Sequence, residues 1–394
     1  MPSDLPVFPQ DTPFELDHEP AHADWRRDDP VRRVRLASGG EAYLVSRYED
    51  VKRVYVDKAF SRTAATRPGA ATLRATRMNP HVLVAMDPPA HTRVRGLVNQ
   101  AFSPRAVESL RPRIQEVCDE LIDALLAAGP PADFVAGFAE PLPAMVLSAM
   151  LGVPDHGRLR GWMDVLMSIT AHTPQEMQAA SAELLHYLSA QIEARRREPG
   201  ADLLTALIEA REDGERLSEP ELLYTPYILL IGGYETTATL LADSLLTLDR
   251  HPEQFALLRE RPELVPNAVE ELLRYVRISR ASLERVATED VEIAGVKVPE
   301  GSTVIMLKYS AHRDETAIED PDRFDITREN TPHFAFGLGP HYCVGASLAR
   351  AELRIALETL LRRLPGLRPL TPAADIDWKK GLITRGPATL PVTW

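Results

Sequence analysis

Apolar positions recur at helical spacing over most of the chain. From about Ser103 to Arg259 they fall three and four residues apart, as in the stripe Val107, Leu110, Ile114, Val117, Cys118, Leu121, Leu125. The periodicity breaks at Gly129-Pro130, Gly152 to Pro154, Thr173-Pro174 and Pro199-Gly200, where glycine and proline end helices. Segments 158–171 and 175–197 therefore read as a helix pair, and their connection, Ala171 to Pro174, as a lid over a buried pocket. The longest run lies between Ser218, which forms a capping box with Glu221, and Pro252, and predicts a helix of about thirty residues against a mean of ~11–12. A helix so long and apolar must run through the core. A last amphipathic segment, Val344 to Arg363, carries Ala346, Ala349, Leu353, Leu357, Leu360 and Leu361 on its apolar face.

Strand patterns are few and short. Residues 31–37 and 41–46 predict a hairpin across Gly39-Gly40, followed by a short helix from Tyr48 to Val56. Two further strand runs, VEIAGVKVP and STVIML, come after Arg285, and KKGLITRGPATLPVTW predicts a closing hairpin. Between Ser61 and Val84 no period is visible, as in a loop. The fold class is mainly α with small β-sheets. With no linker, low-complexity tract or repeat, 1–394 reads as one domain with a smaller β-rich part around 31–60 and 282–307.

Composition narrows the function classes. A formal net charge of -12 argues against a nucleic-acid surface. The start, MPSDLPVFPQ, has no basic stretch followed by an apolar run, and no window holds the ~18 uninterrupted apolar residues of a membrane span. The expectation is a soluble cytoplasmic protein with no membrane partner. Two cysteines make no disulfide framework, and Cys118 lies on the apolar stripe as a core thiol.

Several polar groups stand where packing does not need them. Inside the long apolar segment lie Gly232, Gly233, Glu235 and Thr236, and Ile228, Ile231, Gly232 and Thr236 share one face at spacings of three, four and eight. Pro226 lacks the N–H that would reach Leu222, so a kink or local opening is expected there. In MDPPAHTRVRG, Asp87 reads as an N-cap, Pro88 as the first turn, and His91 and Arg95, four apart, can grip one anion. Glu271 and Arg274 form a pair three apart. In FGLGPHYCVG, Gly337 and Gly339 can take positive φ and let the backbone approach a flat ligand. Cys343 then stands at a helix start, where unpaired N–H groups and the helix dipole favour a thiolate.

Phe336, Gly337, Gly339, His341, Cys343 and Gly345 resemble the haem-ligand loop of the cytochrome P450 monooxygenases. The resemblance runs from about Pro30 to the C-terminus, with every motif in the family's order. It implies haem b between the long central helix and the cysteine-loop helix, ligated by the Cys343 thiolate, with His91, Arg95, Arg285 and His341 on its propionates. It implies that Thr236 hydrogen-bonds the bound dioxygen and that Glu235 relays protons. Glu271, Arg274 and Arg323 would form a buried charge network propping the cysteine loop, 61–84 would roof the substrate pocket, and Ile383 and Thr384 would reach into it. The chain departs from the family after its ExxR helix, where VRISRASLE replaces the usual proline and brings in Arg280, expected to be solvated, or to contact a substrate carboxylate if it faces the cavity.

The activity implied is insertion of one oxygen atom from O2 into a small or medium apolar organic substrate, as hydroxylation or epoxidation in secondary metabolism of a polyketide or macrolide kind. Electrons would come from NAD(P)H through a ferredoxin or flavodoxin and its reductase, since the chain has no GxGxxG after a strand and no iron–sulfur cysteine cluster. Arg105, Arg350 and Arg354 would form the donor's docking patch. An oxidative coupling enzyme or peroxygenase is the alternative, and a haem-based sensor or binding protein is the alternative of another class. A thiol hydrolase built on Cys343 and His341 fails, because two residues so close beside a helix start cannot form an oriented nucleophile and base.

Overall fold

The computed structural model describes residues 5–9, 16, 18–102, 104–154, 156–210, 216–329 and 332–394. Ser103, where the helical periodicity begins, lies outside them. The principal helices are Pro104–Ala128, Pro141–Leu151, Pro174–Arg197, Glu219–Arg250, Val265–Tyr275 and Ala346–Arg363. They end where glycine and proline interrupt the apolar period. Gly152, for example, closes its helix at φ 72°, a left-handed conformation that costs glycine nothing.

The Glu219–Arg250 helix is 32 residues long and opens on the Ser218–Glu221 capping box. Its helical assignment runs through Pro226 without a break. Its apolar residues sit in the largest core cluster, with the 141–151 and 174–197 helices packed against it. Ala346–Arg363 packs on Pro104–Ala128, where Cys118 is fully buried on its predicted stripe. Burial pushes that thiol up to about 12, so Cys118 is a core group. Among the described residues no helix is long and apolar enough to cross a membrane.

Among the described residues the largest sheet has six strands, in the order Val7–Phe8, Val31–Leu36, Glu41–Val45, Thr303–Met306, Arg285–Ala287, Phe60–Ser61, and Val291–Ile293 pairs with Val296–Val298 in a separate two-stranded sheet. The hairpin pairs Val31 with Val45 across Gly39-Gly40, as the alternation predicts. This sheet joins the two stretches assigned to the β-rich part and carries Arg285 into the interior.

Two local expectations need correction. The first helix of the 158–197 pair is Leu159–Leu166, shorter than 158–171, because the next residues pair with the C-terminal loop: the Gly381 carbonyl accepts from the Ile169 and Thr170 N–H groups at 2.7 and 3.0 Å. Asp87 is no N-cap. The helix starts at Ala90 after Pro89, which has no N–H to offer, and the Asp87 carboxylate instead accepts from Ser61 Oγ and from the Arg62 and Thr63 N–H groups.

Candidate functional site

A single interior cavity of about 880 Å³ gathers most of the singled-out residues. Cys343, Phe336 and Gly337 line it from the cysteine loop, and Ile228, Ile231, Gly232 and Thr236 from one face of the long helix. His91, Arg95, Arg285 and His341 also line it, as do Ile383 and Thr384. Tyr234, Glu235 and Arg280 are not among the lining residues. Tyr234 is buried in the core, and the Arg280 Nε donates to the Leu382 carbonyl at 3.1 Å, so this arginine is spent on the C-terminal loop.

The cysteine loop is shaped by its glycines. Gly337 and Gly339 both hold φ 72°, and a Cβ on Gly339 would stand 3.3 Å from the Tyr55 carbonyl. The Cys343 N–H donates to the Phe336 carbonyl at 2.9 Å, closing the loop, and Gly345 precedes the helix at Ala346. Cys343 is exposed, and what it faces is the cavity. Burial among protein atoms pushes its thiol pKa up, against a hydrogen bond from the Gly345 N–H and the positive charges of Arg95, Lys308 and Arg350, which pull it down. The expected lowering by the helix start is thus present but outweighed by desolvation.

Two props hold this loop. Glu271 and Arg274, both fully buried, exchange two hydrogen bonds at 2.8 and 2.7 Å. Arg274 also donates to the carbonyls of His312, Pro321 and Arg323. His312 carries the link onward: its Nδ1 bonds the Arg274 carbonyl at 2.9 Å and its Nε2 accepts the Phe334 N–H at 2.6 Å, two residues before Phe336. Only the Nδ1–H tautomer satisfies both, and burial holds the ring neutral by keeping its pKa well below the usual value. Arg323 is not the third member of the network. Its side chain turns out to Asp325 and only its carbonyl points inward, whereas Arg328 stands 3.5 Å from Glu271.

The second prop is Glu270, whose carboxylate accepts both arms of Arg350 at 2.7 and 2.8 Å and lies 3.2 Å from His333 Nε2. Burial alone would raise this carboxyl, but Arg350 brings it down to about 2. The Arg350 guanidinium also covers the Phe336 ring at 4.5 Å. Arg350 and Arg354 both pair with Glu270, so they also brace the loop.

A polar cluster occupies another wall. The His91 and His341 rings lie 4.3 Å apart beside Arg285, and burial lowers the pKa of both imidazoles. His91 Nε2 and Arg285 Nε are buried and without hydrogen-bond partners, while Arg95 Nε bonds Asn99 Oδ1 at 2.8 Å. Donors left open in this way call for an anion. Sequence reasoning missed two cations here: Arg62, which donates to the Val84 and Glu284 carbonyls, and Lys308, which donates to the Ala335 carbonyl at 3.3 Å. No motif marks either one, because each is recruited across the fold.

On the long helix, Thr236 Oγ1 donates to the Gly232 carbonyl at 2.6 Å, leaving its lone pairs toward the cavity. A Cβ on Gly232 would meet nothing within 4 Å and would project into that space. Glu235 is reached from the cavity through Thr384, whose hydroxyl lies 3.3 Å from its Oε1. The same oxygen accepts Lys379 Nζ at 3.0 Å; Lys379 reaches Glu140 at 3.0 Å, and Glu140 reaches the exposed Arg160 at 3.1 Å. Burial raises the Glu235 pKa and the Lys379 charge opposes it. A line of titratable groups therefore connects Thr384 to the surface.

The model of the Cytochrome P450 family matches residues 153–389. This chain is a cytochrome P450. Across its whole length it is 47% identical to nocardicin C N-oxygenase of Nocardia uniformis subsp. tsuyamanensis, covering 99% of that protein. It is 43% identical to the mycinamicin IV hydroxylase/epoxidase of Micromonospora griseorubida, over 95% of this chain and 94% of the other. The crystal structure of the LnmA cytochrome P450 hydroxylase, from the leinamycin biosynthetic pathway of Streptomyces atroolivaceus, superposes with a TM-score of 0.90 at 42% identity, covering 99% of this chain and 100% of that one. The chain is accordingly a monooxygenase of the haem-thiolate class. The residues present fit that group: a cavity-facing thiol, buried donors awaiting an anion, and glycines where a side chain would intrude.

Glu352 offers a test of the cavity wall formed by the Ala346–Arg363 helix. It lines the cavity one turn beyond Leu348, has an unbonded Oε1, and burial pushes its pKa up to about 8. The folded chain therefore holds this proton up to about pH 8 while the unfolded chain releases it near 4.5, as an ordinary glutamate does. The unfolded state binds fewer protons in that window, so the stabilisation is complete below about pH 4.5 and is lost as pH rises toward 8. Glu352→Gln should flatten this fall in a urea-midpoint series; an unaltered slope would show that Glu352 is ionised in the native state.

Proposed function

We propose that this cytochrome P450 oxidises a small or medium organic substrate in secondary metabolism, and that Cys343 would ligate the haem iron while His91, Arg95, Arg285 and His341 would bind the propionates. Thiolate-ligated haem, when bound, supplies activation of dioxygen, with one atom inserted into the substrate and the other leaving as water. The observation that carries this reading is that the Cys343 thiol and the Thr236 hydroxyl, from two distant elements, open on one cavity whose other wall presents unpartnered donors. Phe336 and Gly337 shape the ligand loop, and Gly232 leaves room beside Thr236. The curated relatives, an N-oxygenase acting on nocardicin C and a hydroxylase/epoxidase acting on mycinamicin IV, support tailoring of a natural product by hydroxylation or epoxidation.

Thr236 holds and orients a proton at its Oγ1, and Glu235 refills it through Lys379 and Glu140, with Thr384 as the contact to the cavity and with the Arg160 guanidinium only holding the Glu140 carboxylate near the surface. Electrons come from NAD(P)H through a ferredoxin or flavodoxin and its reductase. Thr236→Ala should bind ligand normally, consume NAD(P)H, and divert most electrons to hydrogen peroxide, so that product per NAD(P)H falls severalfold. Glu235→Gln should slow turnover with little change in KM, because proton delivery and not binding is impaired. Parental coupling in Thr236→Ala would remove the proton-holding role.

A further inference from the structure

The net charge of the chain is -12, yet its cavity is lined by six cationic side chains, Arg62, Arg74, Arg77, Arg95, Arg285 and Lys308, and by one carboxylate, Glu352. Four of the cations belong to the anion-seeking wall and the cysteine loop: Arg95 and Arg285 lie in the anion-seeking cluster, Arg62 beside it donates to two backbone carbonyls, and Lys308 donates to Ala335 just before Phe336. Arg74 and Arg77 remain, and both lie on the irregular segment that roofs the cavity.

This roof is a built surface. Asn79 Nδ2 donates to the Tyr224 hydroxyl at 2.9 Å, Tyr227 and Ser181 hydroxyls meet at 3.1 Å, and Thr76 approaches Met177 Sδ at 3.9 Å, so the segment is tied to the long helix and to the 174–197 helix. Arg74 is half-buried within it, and among the described residues its guanidinium donates only to the Leu166 carbonyl, at 3.3 Å. No carboxylate among the described residues comes within ion-pair distance. Its charge lies close enough to Tyr227 to pull that phenol's pKa down against burial. A half-buried cation with most of its donors unused, beside a tyrosine hydroxyl and above an otherwise apolar wall of Leu147, Leu166, Met167 and Ile228, is arranged for a monoanion. Arg77 is exposed and donates to the Ala70 carbonyl at 3.2 Å, placing a second positive charge at the rim where it can steer an anion inward.

We infer that Arg74 anchors a substrate carboxylate, so that the enzyme takes an amphipathic organic acid whose anionic end is held under the 74–79 segment while its apolar body reaches toward Thr236 and Cys343. This rests on the monooxygenase reading and adds the substrate's chemical class and its orientation: the oxidised atom is at the end remote from the carboxylate. Arg74 acts on specificity and takes no part in the oxidation.

The test uses the haem-loaded enzyme and imidazol-1-yl-alkanoic acids of eight to twelve carbons with their methyl esters. The azole fixes one end by its red shift of the Soret band, and chain length sets how far the other end reaches. At a matching length the acid should bind the parent about tenfold or more tightly than its ester, the order expected of a charge-assisted contact. Arg74→Ala and Arg74→Gln should erase that difference with little effect on ester binding, Arg74→Lys should keep part of it, and Arg77→Ala should preserve it while slowing association at low salt. A parent with no acid preference at any length, or an Arg74→Ala variant that retains it, overturns the anchor. The carbon monoxide spectrum separates the two levels: an intact thiolate band without acid preference sinks only the anchor, whereas loss of the azole shift and of that band together sinks the haem-thiolate reading beneath it.

Discussion

Cys343→Ser is expected to abolish NAD(P)H-dependent oxygenation while leaving the chain folded. The cysteine side chain faces the cavity and contributes no core packing, and the backbone bond from its N–H to the Phe336 carbonyl survives the change. Little stability should be lost, because neither a cavity nor a buried unpaired group is created. What disappears is the soft, electron-donating ligand, since a serine hydroxyl is a far harder donor and deprotonates much less readily. Cys118→Ala is the control: its thiol is buried in the 104–128 helix stripe, so its loss should lower stability and leave product formation per folded enzyme unchanged. Product formation at parental rate by the serine variant, measured by mass spectrometry, would dismiss Cys343 as the ligand.

Arg274→Ala should have the largest effect on the fold. It leaves the Glu271 carboxylate buried at 0% exposure with the Asp325 N–H at 3.0 Å and Arg328 at 3.5 Å as its remaining supports. Breaking a buried pair from one side costs about 3–5 kcal/mol, a large share of the ~5–15 kcal/mol that holds a typical domain. The change also removes the donors to His312, Pro321 and Arg323, and with them the path through His312 to Phe334 that steadies the cysteine loop. The expected result is soluble protein in low yield that retains little haem and unfolds at much lower urea. The double variant Glu271→Leu/Arg274→Met should recover part of the midpoint, since no uncompensated charge then remains buried. A single variant with the parental midpoint and haem content would show that the pair is ornamental.

What could be read in advance was whatever local chemistry demands. Gly337 and Gly339 announce positive φ, Ser218 and Glu221 announce a helix start, and the polar quartet inside an apolar helix announces a site, because each signal is complete within ten residues. The cavity-facing set Ile228, Ile231, Gly232 and Thr236 followed from helical spacing alone. Long-range choices were not legible. Whether Arg323 or Arg328 approaches Glu271 depends on how a turn more than forty residues away is oriented, and Arg350 looked like a surface cation until Glu270 was found beside it. Asp87 had two sets of N–H donors within reach, and the successive prolines after it decided for residues 61–63. Lys379 and Arg62 carry no motif at all, since their partners are assembled from segments scattered along the chain.

The central claim is that Cys343 makes this chain a haem-thiolate enzyme, and the reduced carbon monoxide difference spectrum tests it most directly. The purified haem-loaded protein, reduced with dithionite and saturated with carbon monoxide, should show the strongly red-shifted Soret band of thiolate ligation, and Cys343→Ser should lack it. A parent spectrum with the band in the position of histidine-ligated haem, or a serine variant that keeps the red-shifted band, would contradict the account.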